Sequence, residues 1–477
     1  MKKTQIQLSD HFTYQKLLRL VLPSIVMMVF TSIYGVVDGL FVSNFAGKTP
    51  FAAINLVMPF IMVLGGIGFM IGTGGTALVS KVLGEGEPEK AKRYFTMMIL
   101  FTLLVGAVLT VFGVTMMEKV ARFLGATDEM LHDCVLYGRI VISFTAAFML
   151  QNVFQSFLIA AEKPKLGLIA TVAAGVTNMA LDALFIAGFH WGVAGAAIAT
   201  VLAQLLSTIG CFCYAFARYP KLRLHREDWA ITRHDIGQHA LQGIPLGLQF
   251  SVLAIGIIVV QSVVVKFDIL DGQMVSNAAQ NGFGAANKFT GSLMTLLNGL
   301  GTAMTSFVAQ NLGAGNFERI RKGARQALVM FAIATAISSA LGFLASIGNF
   351  YLHLFLSADK VTADTIRFGN GYMRVDMSLM LFLGGVFLLR NCVQGIGKPQ
   401  FILGGGIAEL VARVLVCLLL PAAVAGGEVS AAAPHAAYLA LCLADPMAWF
   451  AADLVMVIPF IRNILKMDYR YLYKRRA

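Results

Sequence analysis

Residues 76–92 read TALVSKVLGEGEPEKAK, and residues 305–321 read TSFVAQNLGAGNFERIR. Gly84-x-Gly86 aligns with Gly313-x-Gly315 at an offset of 229, and each pair stands where a long apolar run gives way to basic residues. Glycine at that place ends a helix through positive φ at no steric cost. Tyr137-x-Arg139 pairs with Tyr372-x-Arg374, and Lys163-Pro164 with Lys398-Pro399, both at an offset of 235. Pro23 and Pro245 open corresponding apolar runs. The matching positions are Gly, Pro, Lys, Arg and Tyr, not the Leu and Val that any two apolar helices share. The chain therefore reads as two copies of one unit.

Each copy is built for a membrane. Of 477 residues, 58% are hydrophobic and only 13% charged, with a mean hydropathy of +0.75. A soluble domain carries about 25% charged residues. The composition excludes a soluble enzyme, a disordered chain and a secreted disulfide scaffold. A membrane-crossing helix needs about 20 mostly apolar residues. Twelve runs qualify, at roughly 16–42, 51–82, 94–116, 134–160, 165–188 and 193–217, then 237–265, 280–311, 324–349, 368–393, 399–424 and 436–461. Pro164 and Pro399 stand at helix starts, where a missing N–H is harmless. The one long polar connection, 218–236, divides an N-lobe of helices 1–6 (residues 1–217) from a C-lobe of helices 7–12 (residues 237–477). The expected fold is an all-α membrane protein of two pseudo-symmetric six-helix bundles.

Charge sets the orientation. Lys and Arg fall 26 to six on the side that carries both termini and the connections after helices 2, 4, 6, 8 and 10. That side is expected to be cytoplasmic, with 218–236 a cytoplasmic linker. The net charge of +12 thus describes topology rather than a nucleic-acid partner. Six helices per copy is an even number, so both copies enter from the same side. Such parallel repeats are related by an axis along the membrane normal, with the substrate site at their interface. The six cysteines lie in or beside apolar runs and lack metal or redox spacing. The polar opening MKKTQIQLSDHFTYQK lacks a short apolar h-region with a cleavage site, so a removable signal peptide is not expected.

The run GLGTAMTSFVAQNLGAGN (299–316), AANKF (285–289) before it, and PSIVMMVFTSIYGVVDGLFVSNFAG (23–47) resemble the multidrug and toxic compound extrusion (MATE) family. The resemblance covers nearly the whole chain. It implies a V-shaped pair of bundles and alternating access. It also implies a secondary active multidrug efflux antiporter, exporting organic, often cationic, compounds in exchange for H⁺ or Na⁺. The expected setting is a bacterial plasma or inner membrane, with the chain a multi-pass monomer that contacts small-molecule substrates and lipid. No cofactor beyond the coupling ion is implied. In the family's DinF-like branch the N-lobe ion site matches Asp38, Asn178, Asp182 and Thr200 here. A NorM-like C-lobe site is half matched by Tyr372 and Asp376, but helix 7 offers Gln249 and Gln261 and no carboxylate. That departure favours the N-lobe.

Apart from the resemblance, five carboxylates are read inside spans: Asp38, Asp182, Asp376, Glu409 and Asp453. A charge at the bilayer centre costs about 2.5–3.5 kcal/mol on insertion scales, so each needs a partner, a proton or water. Asn178 and Asp182 are i and i+4, on one helix face. Such oxygens suit Na⁺ and equally suit a shared proton, because two buried carboxylates do not both ionise cheaply. Glu409 and Arg413, also i and i+4, are expected to form an intrahelical ion pair. Gln151, Asn152, Gln155, Gln280, Asn281 and Asn287 are read first as interhelical hydrogen-bond donors and acceptors. Met62, Met70, Phe154 and Phe157, with Gln151 and Gln155, are candidates for the substrate cavity wall. The glycine-rich run 65–75 is read as close helix packing, not a nucleotide loop. A lipid-linked oligosaccharide flippase or metabolite exporter of the same superfamily is the alternative function. No metalloprotease, serine-hydrolase or nucleotide motif is present, so an enzyme is not expected.

Overall fold

The computed structural model describes residues 22–466, except 24–25, 28–29, 32–33, 36, 125, 162, 219–232 and 357–359. The basic N-terminal segment with Lys2, Lys3, Lys16 and Arg19, most of the expected linker, and residues 467–477 lie outside the described residues.

Helix α1 is helical at every described position from 22 to 41 and runs into a π-helical turn, Val42–Ala46. There follow α2 (Lys48–Gly84), α3 (Pro88–Phe123), α4 (Asp128–Ser143), α5 (Thr145–Ala160), α6 (Pro164–Asp182) with a π-helical turn Ala183–Gly188, and α7 (Gly192–Arg218). The second copy has α8 (Arg233–Lys266), α9 (Ala278–Gly313), α10 (Phe317–Gly348), α11 (Phe350–Phe355), α12 (Ala363–Ser378), α13 (Met380–Gly395), α14 (Pro399–Ala425), α15 (His435–Cys442) and α16 (Ala444–Phe460). Among the described residues, eight stretches are long and apolar enough to cross a membrane, and two bent pairs raise this to ten. The expected first and seventh spans correspond to α1 and α8.

The bends repeat between the copies. α4 and α5 meet at 55° at Phe144, and α12 and α13 at 53° at Leu379, 235 positions on. Both have one cause. Ser143 Oγ donates to Arg139 O, and Ser378 Oγ to Arg374 O, each at 2.7 Å. A neighbouring helix then caps each break: Thr110 Oγ1 donates to Ile142 O at 3.0 Å, and Ser339 Oγ to Met377 O at 2.8 Å. Hydroxyls that bond back to the preceding turn, and groups inserted into the backbone ladder, bend helices.

By contacts the chain divides into two units. The first comprises the residues to Gly247 together with Ser306–Asn316, and the second Leu248–Thr305 with Phe317 onward. The core of the first packs α2, α3 and α5 around Phe95, Met98, Met149, Phe154 and Phe157, with the Phe95 and Phe157 rings 4.1 Å apart. The glycine run on α2 allows this approach: a Cβ on Gly68 would lie 2.6 Å from Met149 Cα, and one on Gly72 2.9 Å from Val153 Cα. The Gly-x-Gly pairs divide their tasks. Gly86 and Gly315 take positive φ, 80° and 71°, as the turn requires. Gly84 faces the Gln310 carbonyl oxygen, and Gly313 faces the Lys81 carbonyl oxygen, so two helix ends touch backbone to backbone.

One element departs from the expected all-α description. Ile269–Leu270 (β1) and Gln273–Met274 (β2) form a small hairpin through Asp271 and Gly272, both at positive φ. Asp-Gly is the residue pair such a two-residue turn selects. Asp268 beside it accepts from the Ala279 and Gln280 N–H groups, both at 3.0 Å, and caps the start of α9.

Candidate functional site: a buried acid pair

Gly175 sets the spacing of the site. A Cβ there would lie 2.5 Å from Phe30 and 2.9 Å from Tyr34, so α1 lies directly on α6. One to two turns further along, Asp38 of α1 meets Asp182 of α6, and their carboxyls are within hydrogen-bonding reach of each other. Asp182 is fully buried, and Asn178, one turn before it, is 2% exposed. Thr200 enters from α7, half-buried. Of the four residues that sequence reasoning puts forward, Asp38 and Asp182 meet directly, Asn178 lies one turn before Asp182 on α6, and Thr200 stands on α7.

A fifth residue joins them. Tyr137 of α4, 1% exposed, places its hydroxyl in hydrogen-bonding reach of Thr200 and lies within electrostatic range of both Asp38 and Asp182. Sequence reasoning noted Tyr137 only as a repeat position. Its counterpart Tyr372 is a site candidate by resemblance, and the repeat is the signal that points to Tyr137.

The electrostatics are lopsided. Among the described residues, no hydrogen bond satisfies Asp38 Oδ1, either Asp182 oxygen or either Asn178 amide atom, all of them buried. No Lys or Arg ion-pairs with either carboxylate among the described residues. Unsatisfied buried oxygens are costly, and two adjacent carboxylates share one site poorly unless a proton or cation sits between them. The donor set is carboxylate, amide and hydroxyl oxygen, which fits a hard monovalent cation or a proton.

Unit two is the opposite case. Tyr372 donates to Asp445 Oδ2 at 3.1 Å and to Asn287 at 3.3 Å. Arg413 Nε donates to Asp445 Oδ1 at 2.8 Å, and its Nη2 to Glu409 at 3.1 Å. Arg390 lies 3.5 Å from Glu409, with the Gln249 amide oxygen 2.9 Å from its Nε. Asp453 is within electrostatic range of Arg390. The expected Glu409–Arg413 pair is present, but as one link in a chain across α8, α12, α13, α14 and α16. Asp445, a sixth intramembrane carboxylate that the sequence reading passed over, holds that chain to Tyr372. Asp376 is fully buried beside Tyr372, with neither oxygen satisfied. At the helix 7 position that lacks a carboxylate, Gln249 serves an arginine.

The cavity candidates scatter. Phe154 and Phe157 are buried core residues at 1% and 3% exposure, with no free face. The Phe157 ring lies 4.1 Å from Phe95 and the Phe154 ring 4.8 Å from Phe212. Met62 is exposed, and Met70 packs on Gly247. Gln155 donates to Thr171 at 3.2 Å, the expected interhelical hydrogen bond, and Gln151 is buried.

Comparison with known proteins agrees with this architecture. A family model described as MatE matches residues 23–184 and 254–419. The multidrug export protein MepA of Staphylococcus haemolyticus is 22% identical over 387 residues, 81% of this chain and 82% of that protein. A FAD transporter of Shewanella oneidensis is 24% identical over 321 residues, 66% of this chain and 68% of its own length. A solved outward-facing multidrug resistance MATE family transporter has the same fold, with a TM-score of 0.84 over 98% of this chain and 99% of that one at 19% identity. With a family model spanning well over half of its residues, and the repeat, bends and helices of that fold in place, the chain belongs to the MATE family of membrane transporters and is not an enzyme.

Proposed function

We propose that this protein is a secondary active exporter of organic, often cationic, compounds, driven by inward movement of H⁺ or Na⁺ through the Asp38–Asp182 site. The observation that carries the reading is the pairing of two buried carboxylates with no fixed counter-cation among the described residues. In the ion-free state the pair repels itself. Taking up one H⁺ or Na⁺ between Asp38 and Asp182, with Asn178 and Thr200 supplying further oxygens, removes that repulsion and draws α1 onto α6. Export follows if cargo and ion bind the two access states with opposite preference. Release of the ion on the low-concentration side then resets the carrier. Tyr137 orients Thr200 toward the pair. The topology that suits this direction has both termini in the cytoplasm of a bacterial cell, as the distribution of Lys and Arg supports. Tyr372 and Asp376 are a weaker second ion site, because Asp445 beside them is already neutralised by Arg413.

Proteoliposomes loaded with a fluorescent cationic dye test the proposal, with pH and Na⁺ gradients imposed separately. Dye movement driven by one gradient, and lost on Asp38→Asn, is the expected result. Movement under neither gradient defeats it. A second reading, export of an anionic metabolite, draws on the similarity to the FAD transporter. Release of FAD from loaded vesicles under the same gradients distinguishes the two.

A further inference from the structure

A cavity of about 620 Å³ opens between α12 and α15, wholly inside the second unit. Its α12 wall is a single face, Arg367, Gly371, Arg374 and Ser378, spaced i, i+4, i+7 and i+11. Its α15 wall is His435 and then Leu439, with Leu443 just beyond the helix end. The two helices begin at the same end of the unit, the end that carries the hairpin, since Ala431 N donates to Ile269 O at 2.8 Å just before α15.

The lining is asymmetric in charge. It includes two arginines and a histidine and no carboxylate. Neither Arg367 nor Arg374 has an acidic group within ion-pairing distance among the described residues. His435 Nδ1 is buried without a partner among the described residues, and its ring stacks on Tyr438 at 5.8 Å. Nothing in the mechanism proposed above uses these groups. Gly371 keeps the groove open: a Cβ there would lie 3.0 Å from Leu439 and 3.5 Å from His435. Deeper in, the walls are Leu439, Leu443 and Leu379, and Met447, one turn past Leu443, is exposed.

We infer that this groove binds an acidic phospholipid of the surrounding bilayer, with its phosphate on Arg367, Arg374 and His435 and an acyl chain along Leu439 and Leu443. Unpaired guanidinium groups fork onto phosphate oxygens, and basic pockets between membrane helices select anionic headgroups. The apolar lower wall is what separates this occupant from a free anion.

The test uses the full-length protein, purified in a neutral detergent and offered dioleoyl phosphatidylglycerol or dioleoyl phosphatidylcholine, with retained lipid counted by native mass spectrometry. Two favourable charges predict retention of the anionic lipid by about thirtyfold over the zwitterionic one. The double variant Arg367→Gln, Arg374→Gln changes exposed side chains, and its folding is checked by size exclusion. It should bring the ratio close to one. Gly371→Phe should lower retention of phosphatidylglycerol with both arginines in place. Equal retention of the two lipids by the unmodified protein overturns the inference, as does a preference unchanged in the double variant. Displacement of the lipid by inorganic phosphate alone overturns it too, by assigning the arginines to a free anion.

Discussion

Arg413 and Asp445 are joined across α14 and α16 by a 2.8 Å hydrogen bond from Nε, while the other edge of the same guanidinium holds Glu409. One cation thereby neutralises carboxylates on two helices. Replacing it by Met of similar volume leaves partly buried Asp445 without its cation and buried Glu409 with Arg390 alone. Breaking a buried pair this way costs about 3–5 kcal/mol, so Arg413→Met should lower the melting temperature in detergent sharply or abolish recovery of monodisperse protein. Arg413→Lys should recover only part of the loss, because an ammonium does not fork to two acids.

At the acid pair the expected result is reversed. Asp38→Asn and Asp182→Asn each remove one of two repelling carboxylates, so the melting temperature should hold or rise, by the equivalent of about 1 kcal/mol. Ion-driven dye transport in proteoliposomes should nevertheless fall to background. Transport at the unmodified rate by either variant would remove the pair from coupling.

The two tyrosines separate function from support. Tyr137→Phe deletes a hydroxyl that reaches Thr200, and a lost hydrogen bond of about 1 kcal/mol corresponds to roughly a fivefold drop in ion-driven transport. Tyr372→Phe deletes the bonds to Asp445 and Asn287. It should show first as a lower melting temperature, with the ion dependence of transport retained. Initial rates against pH and against Na⁺, set beside melting curves, check both.

The glycine pairs give a paired prediction. Gly86→Ala meets open space and bears only the positive-φ cost, about 1 kcal/mol. Gly84→Ala drives a methyl into the Gln310 carbonyl and should cost several times more. Thermal unfolding of the two variants side by side reads the difference.

The architecture was legible because apolar length and the repeat are both written along the chain. Lys163-Pro164 and Lys398-Pro399 do start α6 and α14, with the prolines in the first helical turn. The bends at Phe144 and Leu379 were not legible, because Ser143 and Ser378 break nothing by themselves. The Thr110 and Ser339 hydroxyls that take up the carbonyls at the breaks lie on neighbouring helices, and no local pattern announces them. The acid pair came through the family resemblance and through the i, i+4 spacing of Asn178 and Asp182. Tyr137 is legible only as the repeat equivalent of Tyr372. The Arg390–Glu409–Arg413–Asp445 chain was half visible: spacing along one helix gave Glu409 with Arg413, but spacing carries no information about partners on α13 and α16.

The π-helical turns Val42–Ala46 and Ala183–Gly188 begin just beyond Asp38 and Asp182, and they pack against one another. Each winds one residue too many into its turn. Rewinding either to ordinary α-helix expels that residue and rotates the adjoining backbone by about 100°. Both acids therefore sit beside the spots where their helices can be screwed round most cheaply. On the proposed ion uptake at this pair, neutralising one charge would need to tip only a local change of pitch, not melt a whole span, for its effect to travel along α1.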